Sequence, residues 1–255
     1  MHGAFKWIAI IPLLIAYAIC ACLCALLPVN RRTRRIFLIR NSSFFARMLL
    51  KLFGVRVHLH HRERLRSFRS GKLLVSNHVS YVDVLVISSL LPSVFVTSVE
   101  LGDTVVLGLL ARLGGSVFIE RRKAISLKKE IPAIARLLSA GLPLVLFPEG
   151  TTSNGDRVHS FRNAVFEAAL VAGCDIMPIC LRYSRINGQR ITPENRDSLY
   201  YYGGASFFPH LMRFLTIRSV QVDVTLLAPV HIRGRHSRRE LAIEAHDAIS
   251  AAYNV

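Results

Sequence analysis

The sequence predicts an α/β fold in which a mixed, largely parallel sheet is flanked by helices and preceded by two N-terminal helices. After residue 54, apolar runs of strand length alternate with segments of helical periodicity, a pattern typical of layered α/β domains. Before that point, a long uncharged stretch is followed by a basic and aromatic one. We therefore divide the 255 residues into membrane-anchoring helices at 1–54 and an α/β domain at 55–255.

The first predicted element is an N-terminal membrane helix. The segment Trp7–Asn30 carries no charged residue and is long enough to cross the hydrocarbon core of a bilayer. The run RRTRR follows it, whereas only Lys6 precedes it, so the positive-inside rule predicts that the rest of the chain is cytoplasmic. A cleaved signal peptide is the alternative, but the apolar part is long and no cleavage signature is present. The sequence leaves open whether residues 7–30 span the bilayer or stay in one leaflet.

The second predicted element is a basic amphipathic helix. The cluster Asn41-Ser42-Ser43 is typical of a helix start, and the phenylalanines and leucines after it are interrupted by Arg47 and Lys51. This pattern fits a helix lying in the lipid headgroup layer. It fits equally well a helix packed on the core of the domain. Together with the first helix it could form a hairpin that enters only one leaflet.

The α/β domain follows as alternating strands and helices. Strands are predicted at 55–60, 72–77, 94–98, 116–120, 143–148, 176–183 and 220–227. Helices are predicted at 81–90, 103–113, 125–140, 161–172 and 238–252. Within the third of these, Pro132 predicts a kink or a later start.

The composition points to an anionic partner. Lys and Arg number 33 against 16 Asp and Glu, a net charge of +17, which favours nucleic acid, anionic lipid or acidic and phosphorylated substrates. The sequence contains no helix-turn-helix, zinc or RNA-binding signature, so we expect an anionic membrane surface rather than nucleic acid. The five cysteines show neither disulfide nor metal-ligand spacing, which predicts a reducing compartment and no structural metal.

A histidine and an aspartate stand five residues apart at the end of a predicted strand. On one continuous helix, His78 and Asp83 would point about 140° apart, so they meet only if His78 lies in the turn before the helix. In that turn, Asp83 can accept a hydrogen bond from one ring nitrogen and leave the other free to take a proton. Substrates of open α/β sheets bind at the carboxyl ends of strands, where this pair is expected.

Three further blocks extend this motif. Arg121 ends a block that begins at Gly115 and includes Phe118 and Ile119, Phe147–Thr151 read FPEGT, and Met177, Pro178 and Ile179 form a short apolar segment around proline. With Asn77, His78 and Asp83, these blocks resemble the four motifs of the glycerolipid acyltransferase family in order and approximate spacing. The resemblance covers about residues 45–230.

The resemblance implies transfer of a fatty acyl group from a thioester, on coenzyme A or acyl-carrier protein, to the hydroxyl of a lysolipid. No cofactor other than this co-substrate is expected, and no metal. His78 would remove the hydroxyl proton and Asp83 would stabilise the imidazolium, while Ser80 would be a turn residue. The implied substrate-binding positions are Asn77, Gly115, Phe118, Arg121, Glu149, Gly150 and Thr151.

The resemblance assigns separate tasks to these positions. Arg121 would hold an anionic head group through forked hydrogen bonds, although the same residue without its motif would be an ordinary surface arginine. Glu149 could either orient the acceptor or brace its loop. Gly150 and Thr151 would let the backbone approach the substrate.

One departure bears on the acceptor. Members that act on lysophosphatidic acid often have an arginine after Glu-Gly-Thr, but Thr152 occupies that place here. Arg157 and Arg162 could compensate, or could be charges at the start of a helix. The first expected acceptor is 1-acyl-sn-glycerol-3-phosphate, giving phosphatidic acid, and the alternative is lyso-ornithine lipid. Residues 182–215 form a long segment whose aromatic side chains could cover an acyl tunnel, dip into the membrane or belong to the core.

Other classes fit the sequence less well. A catalytically inactive membrane scaffold would have no chemical reason to keep both His78 and Asp83. A serine hydrolase would need a G-x-S-x-G elbow, which is missing. Metal chemistry would need a third and a fourth ligand at suitable spacing. We therefore expect an O-acyltransferase at a bacterial inner membrane, with its catalytic domain in the cytoplasm.

Overall fold

Two N-terminal helices lie against the α/β domain as an antiparallel pair. The computed structural model describes residues 2–69, 71–120, 124–234 and 237–254. Helix α1 is His2–Leu26 and helix α2 is Arg31–Phe53. Ile10 of α1 and Phe53 of α2 belong to the same hydrophobic core as the strands that follow. Helix α1, although apolar along its length, is therefore packed against the α/β domain.

Helix α2 starts earlier than the sequence predicts, and the prediction of a start at residues 41–43 is wrong. The helix is capped by Asn30, whose side chain accepts a hydrogen bond from the backbone N–H of Thr33 at 2.9 Å. Asn41 instead donates to the Tyr17 carbonyl, and the Ser42 hydroxyl lies 3.1 Å from the Tyr17 hydroxyl. These polar residues stay helical because α1 supplies partners for their side chains.

Hydrogen bonds near the start and in the middle of α1 bind it to the domain. The ammonium group of Lys6 donates to the Phe53 carbonyl at 3.1 Å, at the end of α2, and to the Ile217 carbonyl, at the end of a later helix, Phe207–Thr216. Halfway along α1, the Tyr17 hydroxyl donates to the Leu110 carbonyl at 3.0 Å. The segment Lys6–Leu26 is long and apolar enough to cross a membrane. Most of its residues are not buried by the rest of the protein.

The sheet is mixed and largely parallel, as predicted. Its strands are β1 Val55–His60, β2 Leu73–Ser76, β3 Val94–Ser98, β4 Val117–Ile119, β5 Leu144–Leu146, β6 Ile176–Ile186, β7 Gln189–Arg190 and β8 Val220–Leu226. Their order is β1-β8-β6-β2-β5-β3-β4, with β7 paired to β6. Only the β6–β8 and β6–β7 pairs are antiparallel among the described residues. The carboxyl ends of β2, β3, β4 and β5 therefore share one edge.

Helices cover both faces of this sheet. They are α3 Val82–Leu90, α4 Val99–Gly102, α5 Val105–Leu113, α6 Ala124–Ser139, α7 Glu167–Ala172, α8 Phe207–Thr216 and α9 Arg238–Tyr253. Successive strand residues point to opposite faces, so Leu74 packs in the core beneath α2, α3 and α8, whereas Leu73 packs beneath α6, α7 and α9. Pro132 lies within α6, which does not start late.

Two predicted segments differ in detail. The helix expected at 161–172 is a 3₁₀ turn, Asn163–Phe166, followed by α7. The long segment 182–215 contributes the end of β6, strand β7, a 3₁₀ turn at Arg196–Ser198 and most of α8. A further 3₁₀ helix, Arg62–Arg69, follows β1.

Candidate active site

The structure brings the predicted histidine and aspartate into contact. His78 lies in the turn after β2, and Asp83 lies in the first turn of α3. The distance from His78 Nδ1 to Asp83 Oδ2 is 2.8 Å. Because a carboxylate only accepts, Nδ1 carries the proton and Nε2 keeps its lone pair. The His78 side chain is 18% exposed and that of Asp83 is 0% exposed, so a substrate can reach only the histidine.

Asp83 is fixed by four donors. Its Oδ2 atom also accepts from the backbone N–H groups of Val79 at 2.8 Å and Ser80 at 2.9 Å. Its Oδ1 atom accepts from the Tyr183 hydroxyl at 2.7 Å. A buried carboxylate is costly unless it is fully hydrogen-bonded, and these bonds meet that requirement. The position in the first turn of α3 adds the favourable end of the helix dipole.

An aromatic ring fixes the plane of the histidine. Phe147, at the end of β5, stacks on the His78 imidazole with a centroid distance of 3.9 Å and an interplanar angle of 11°. The ring cannot rotate without losing this contact and the bond to Asp83. The sequence had placed Phe147 in the FPEGT motif but had given it no role, since stacking depends on how two strand ends meet.

Glu149 braces two loops. Its Oε1 atom accepts from the His78 N–H at 2.8 Å, and its Oε2 atom accepts from the His159 N–H at 3.0 Å. Its side chain is 0% exposed. Burial raises the pKa of Glu149 to about 7, although both hydrogen bonds act in the opposite direction. The geometry therefore favours the bracing role over direct contact with an acceptor.

Asn77 joins the catalytic turn to β6. Its amide nitrogen donates to the Leu181 carbonyl at 2.8 Å, and its amide oxygen accepts from the Leu181 N–H at 2.8 Å. The side chain thus continues the β2–β6 ladder for one more pair of bonds. Asn77 was predicted to bind substrate, but its exposed fraction is 2%, and its amide bonds to this strand.

Gly115 lies just before β4 and Phe118 lies within it, and their role in substrate binding stays a prediction. Gly115 precedes β4 with a φ of +75° and packs against Leu38 of α2. Phe118 lies under the guanidinium of Arg112, which is 4.9 Å from the ring centroid. Arg121, the predicted head-group ligand, lies outside the described residues.

One arginine lies over the Glu-Gly-Thr loop. Gly150 has a φ of +75°, and a Cβ atom at this position would lie 2.7 Å from Arg162 Nε. The backbone N–H of Arg162 donates to the Pro148 carbonyl at 2.9 Å, which fixes where its exposed side chain starts. No hydrogen bond or ion pair of the Arg162 guanidinium is found among the described residues. Thr151 is exposed and Thr152 half-buried in the same loop.

The long segment before β8 closes over the catalytic turn. The Ser80 hydroxyl donates to the Leu199 carbonyl at 2.8 Å, and the Tyr201 N–H donates to the Val79 carbonyl at 2.8 Å. Ser80 is thus a turn residue rather than an exposed nucleophile. Tyr81 and His210 add a side-chain contact of 3.2 Å between α3 and α8. The segment is therefore part of the core around the site.

The tautomer of His210 follows from its two partners. Its Nε2 atom lies 2.9 Å from the Tyr200 carbonyl, which only accepts, so Nε2 carries the proton and Nδ1 accepts from the Tyr81 hydroxyl. Burial lowers the pKa of His210, which favours this neutral form.

The arrangement suits proton transfer at Nε2 of an oriented imidazole. Among the described residues, no group of three or more His, Cys, Asp and Glu side chains is placed to hold a metal ion. The absence of a metal and of a cofactor stays a prediction.

Comparisons with known proteins find relatives over most of the chain. The family model "Acyltransferase" matches residues 56–182. A lyso-ornithine lipid O-acyltransferase of Brucella abortus is 32% identical over 221 residues, covering 83% of this chain and 81% of its own. A 1-acyl-sn-glycerol-3-phosphate acyltransferase of Neisseria meningitidis is 33% identical over 182 residues, covering 71% of this chain and 69% of its own.

A solved structure shares the fold. The crystal structure of the 1-acyl-sn-glycerophosphate acyltransferase PlsC of Thermotoga maritima matches with a TM-score of 0.69 and 19% identity, covering 99% of this chain and 93% of its own. This match shows the fold, and the relatives above, which exceed 30% identity over most of their length, show the family. The chain belongs to the glycerolipid acyltransferase family and is an O-acyltransferase.

Proposed function

We propose that His78 and Asp83 catalyse direct transfer of a fatty acyl group from a thioester to a lysolipid hydroxyl. Nε2 of His78 takes the hydroxyl proton as the oxygen attacks the thioester carbonyl, and Asp83 stabilises the imidazolium. The tetrahedral intermediate then expels the thiolate, which takes the proton from the imidazolium. The observation that carries this mechanism is the 2.8 Å bond between His78 Nδ1 and the buried Asp83.

The donor belongs to the same proposal. Acyl-CoA and acyl-carrier protein both present the activated thioester, so no acyl-enzyme and no cofactor are required. Both donors are acidic, and the net charge of +17 favours their approach.

For the acceptor, lyso-ornithine lipid is the first candidate. Thr152 cannot supply the second cation that would suit a phosphomonoester. An ornithine head group presents one carboxylate, which Arg162 could bind by a fork, since its guanidinium has no hydrogen bond or ion pair within the part of the chain that the structure describes. The Brucella abortus relative is named for this acceptor. The second candidate is 1-acyl-sn-glycerol-3-phosphate, for which the Neisseria meningitidis relative is named.

Acyl transfer by membranes containing the protein tests both levels of the proposal. Labelled acyl-CoA and acyl-carrier protein would be offered with lyso-ornithine lipid and 1-acyl-sn-glycerol-3-phosphate. His78→Ala should abolish transfer, because a general base contributes roughly 10²–10⁴-fold. Activity within a few-fold of wild type would refute the mechanism. Preference for 1-acyl-sn-glycerol-3-phosphate would move the assignment to the second candidate.

Arg162 gives the acceptor proposal a sharper test. Arg162→Ala should raise the KM for the acceptor about tenfold and leave the KM for the donor unchanged, as expected for loss of one charge-assisted bond. Arg233→Ala removes another exposed arginine and serves as the matched control. An unchanged acceptor KM in Arg162→Ala would remove this residue from the head-group site.

We further propose that the enzyme sits in one leaflet on the cytoplasmic side of the inner membrane. Helix α1 contacts α2, α5 and α8, and the four helices expose large apolar side chains: Ile8, Ile11, Ile15, Ile19, Leu23, Phe44, Met48, Val105, Val106, Leu109, Phe208 and Met212. Since Lys6 and Tyr17 both bond to the domain, α1 runs along it instead of leaving it. Such a face suits insertion into the headgroup and upper acyl region.

The orientation of the two chain ends distinguishes one-leaflet seating from a spanning helix. Tags at the N-terminus and the C-terminus should both be accessible from the cytoplasmic side in inverted vesicles. A second measurement uses Trp7, the single tryptophan, whose fluorescence should be quenched by lipids brominated near the headgroup. An N-terminal tag accessible only from the opposite side would refute the proposal.

A further inference from the structure

A buried tyrosine completes the hydrogen bonding of the dyad. Tyr183, on β6, lies 100 residues beyond Asp83 in the chain, and its hydroxyl donates to Asp83 Oδ1 at 2.7 Å. The other carboxylate oxygen, Oδ2, carries the bond to His78 Nδ1. The two bonds thus lie on opposite oxygens of one carboxylate. We propose that Tyr183 is a positioning residue of the acyl transfer, acting through Asp83 on the orientation of His78.

The strand that carries Tyr183 is itself held by the catalytic motif. Asn77 bonds both the N–H and the carbonyl of Leu181, two residues before Tyr183 and on the same face of β6. The register of β6 against β8 shifts directly after Tyr183. Asn77 therefore fixes the position of β6 at Leu181, and with it the position of Tyr183. Tyr183 in turn bonds Asp83, so these contacts link both ends of the turn 77–83 to β6.

The surroundings make Tyr183 a donor rather than an acceptor. It is 4% exposed, and burial together with the charge of Asp83 raises its pKa well above the ordinary value, so the hydroxyl stays protonated at any working pH. An acceptor-only carboxylate needs such a donor on each oxygen when it is buried. Without the hydroxyl, Oδ1 would have no other donor among the described residues.

This inference rests on the proposed His–Asp mechanism, and the test separates the two. The variant is Tyr183→Phe in the full-length enzyme in membranes, which keeps the ring and removes only the hydroxyl. Its kcat should fall about tenfold with the KM for both substrates within twofold, less than the roughly 10²–10⁴-fold expected for removing the base itself. The other titratable groups near the dyad include Glu149, Tyr81, Tyr200 and Tyr253, all of which the variant leaves in place.

A pH profile and a second background distinguish positioning from stability. Loss of the Tyr183 bond changes how the Asp83 carboxylate interacts with the His78 ring, so the acid limb of kcat/KM should move relative to wild type, whereas a loss of fold stability alone leaves it in place. In an Asp83→Asn background, Tyr183→Phe should cost less than twofold, because its effect passes through the carboxylate. Tyr200→Phe is the matched control, since it removes a neighbouring buried hydroxyl that makes no hydrogen bond to Asp83.

The outcomes are distinct. A tenfold loss of kcat, a moved acid limb and the missing effect in Asp83→Asn would together support the inference. Tyr183→Phe with wild-type kcat and pH profile would overturn it, while an inactive His78→Ala would leave the mechanism standing. Equal losses of Tm and kcat in Tyr183→Phe and Tyr200→Phe, with no movement of the acid limb, would also overturn it, since the hydroxyl would then only stabilise the fold.

Discussion

Replacing Asp83 by Asn isolates the charge of the dyad from its geometry. The N–H groups of Val79 and Ser80 both point at Oδ2, so the amide oxygen of an asparagine should occupy that position. The amide nitrogen would then face the Tyr183 oxygen, which can accept. His78 Nδ1–H would keep its partner and its tautomer, but the imidazolium formed during transfer would lose a counter-charge.

The size of the effect follows from Coulomb's law. At about 4 Å and an effective dielectric constant of about 20, two unit charges attract by about 4 kcal/mol. Since about 1.4 kcal/mol corresponds to a factor of ten in rate, kcat should fall about 10³-fold. The KM values should stay within a few-fold, because the 0% exposed Asp83 side chain touches no substrate.

Transfer of a labelled acyl group to the lysolipid, measured over single turnovers in membranes, checks this value. The matched control is Asp175→Asn, which alters another His–Asp contact, 2.9 Å from His231 Nδ1 and outside the catalytic turn. The control should keep wild-type kcat. A decrease of less than tenfold in Asp83→Asn would show that the charge of Asp83 does not stabilise the transition state and would refute the reasoning.

Two further predictions concern stability. Because burial raises the pKa of Glu149 from its ordinary value of 4.5 to about 7, the stability that Glu149 contributes is fully present below about pH 4.5 and is lost as the pH rises through 7. Thermal melts in detergent should therefore show wild type losing up to about 3 kcal/mol relative to Glu149→Gln between pH 4.5 and 8, and a constant difference would contradict the shift. Lys6→Met deprives the Phe53 and Ile217 carbonyls of a donor, which should cost about 1–3 kcal/mol and lower the Tm by several degrees. Lys51→Met, at an exposed position of α2, is its control, and equal Tm values for the two variants would exclude an anchoring role for Lys6.

The sequence predicted those features that local pattern determines. Strand-length apolar runs gave β1 to β6 and β8 within a few residues, and the turn between β2 and α3 placed His78 next to Asp83. The start of α2 was missed because Asn30 and the cluster at 41–43 are equally good caps, and only contacts with Tyr17 decide between them. Sequence spacing has no access to such contacts.

The functional details that were missed are those made by distant segments. Nothing near Phe147 or Tyr183 in the sequence indicates that one stacks on the catalytic ring and the other bonds its partner. Gly115 and Phe118 were predicted to bind substrate, and the structure shows only their neighbours around β4, Leu38 and Arg112, so their role in binding stays a prediction. A motif indicates which positions matter, and the contacts in the folded structure show which of them are buried among other residues and which are open to a ligand.

The polar groups of the turn 77–83 are satisfied from several directions at once. Leu181 of β6 binds the Asn77 amide, Glu149 after β5 accepts from the His78 N–H, and Leu199 and Tyr201 of the long segment bind Ser80 and Val79. A turn of this length would be flexible by itself, because each fixed residue costs about 1–2 kcal/mol of backbone entropy. Bonds from three separate parts of the chain offset that cost before any substrate arrives. In the proposed mechanism, the imidazole is therefore already oriented when the lipid hydroxyl approaches, and no binding energy is needed to order the base.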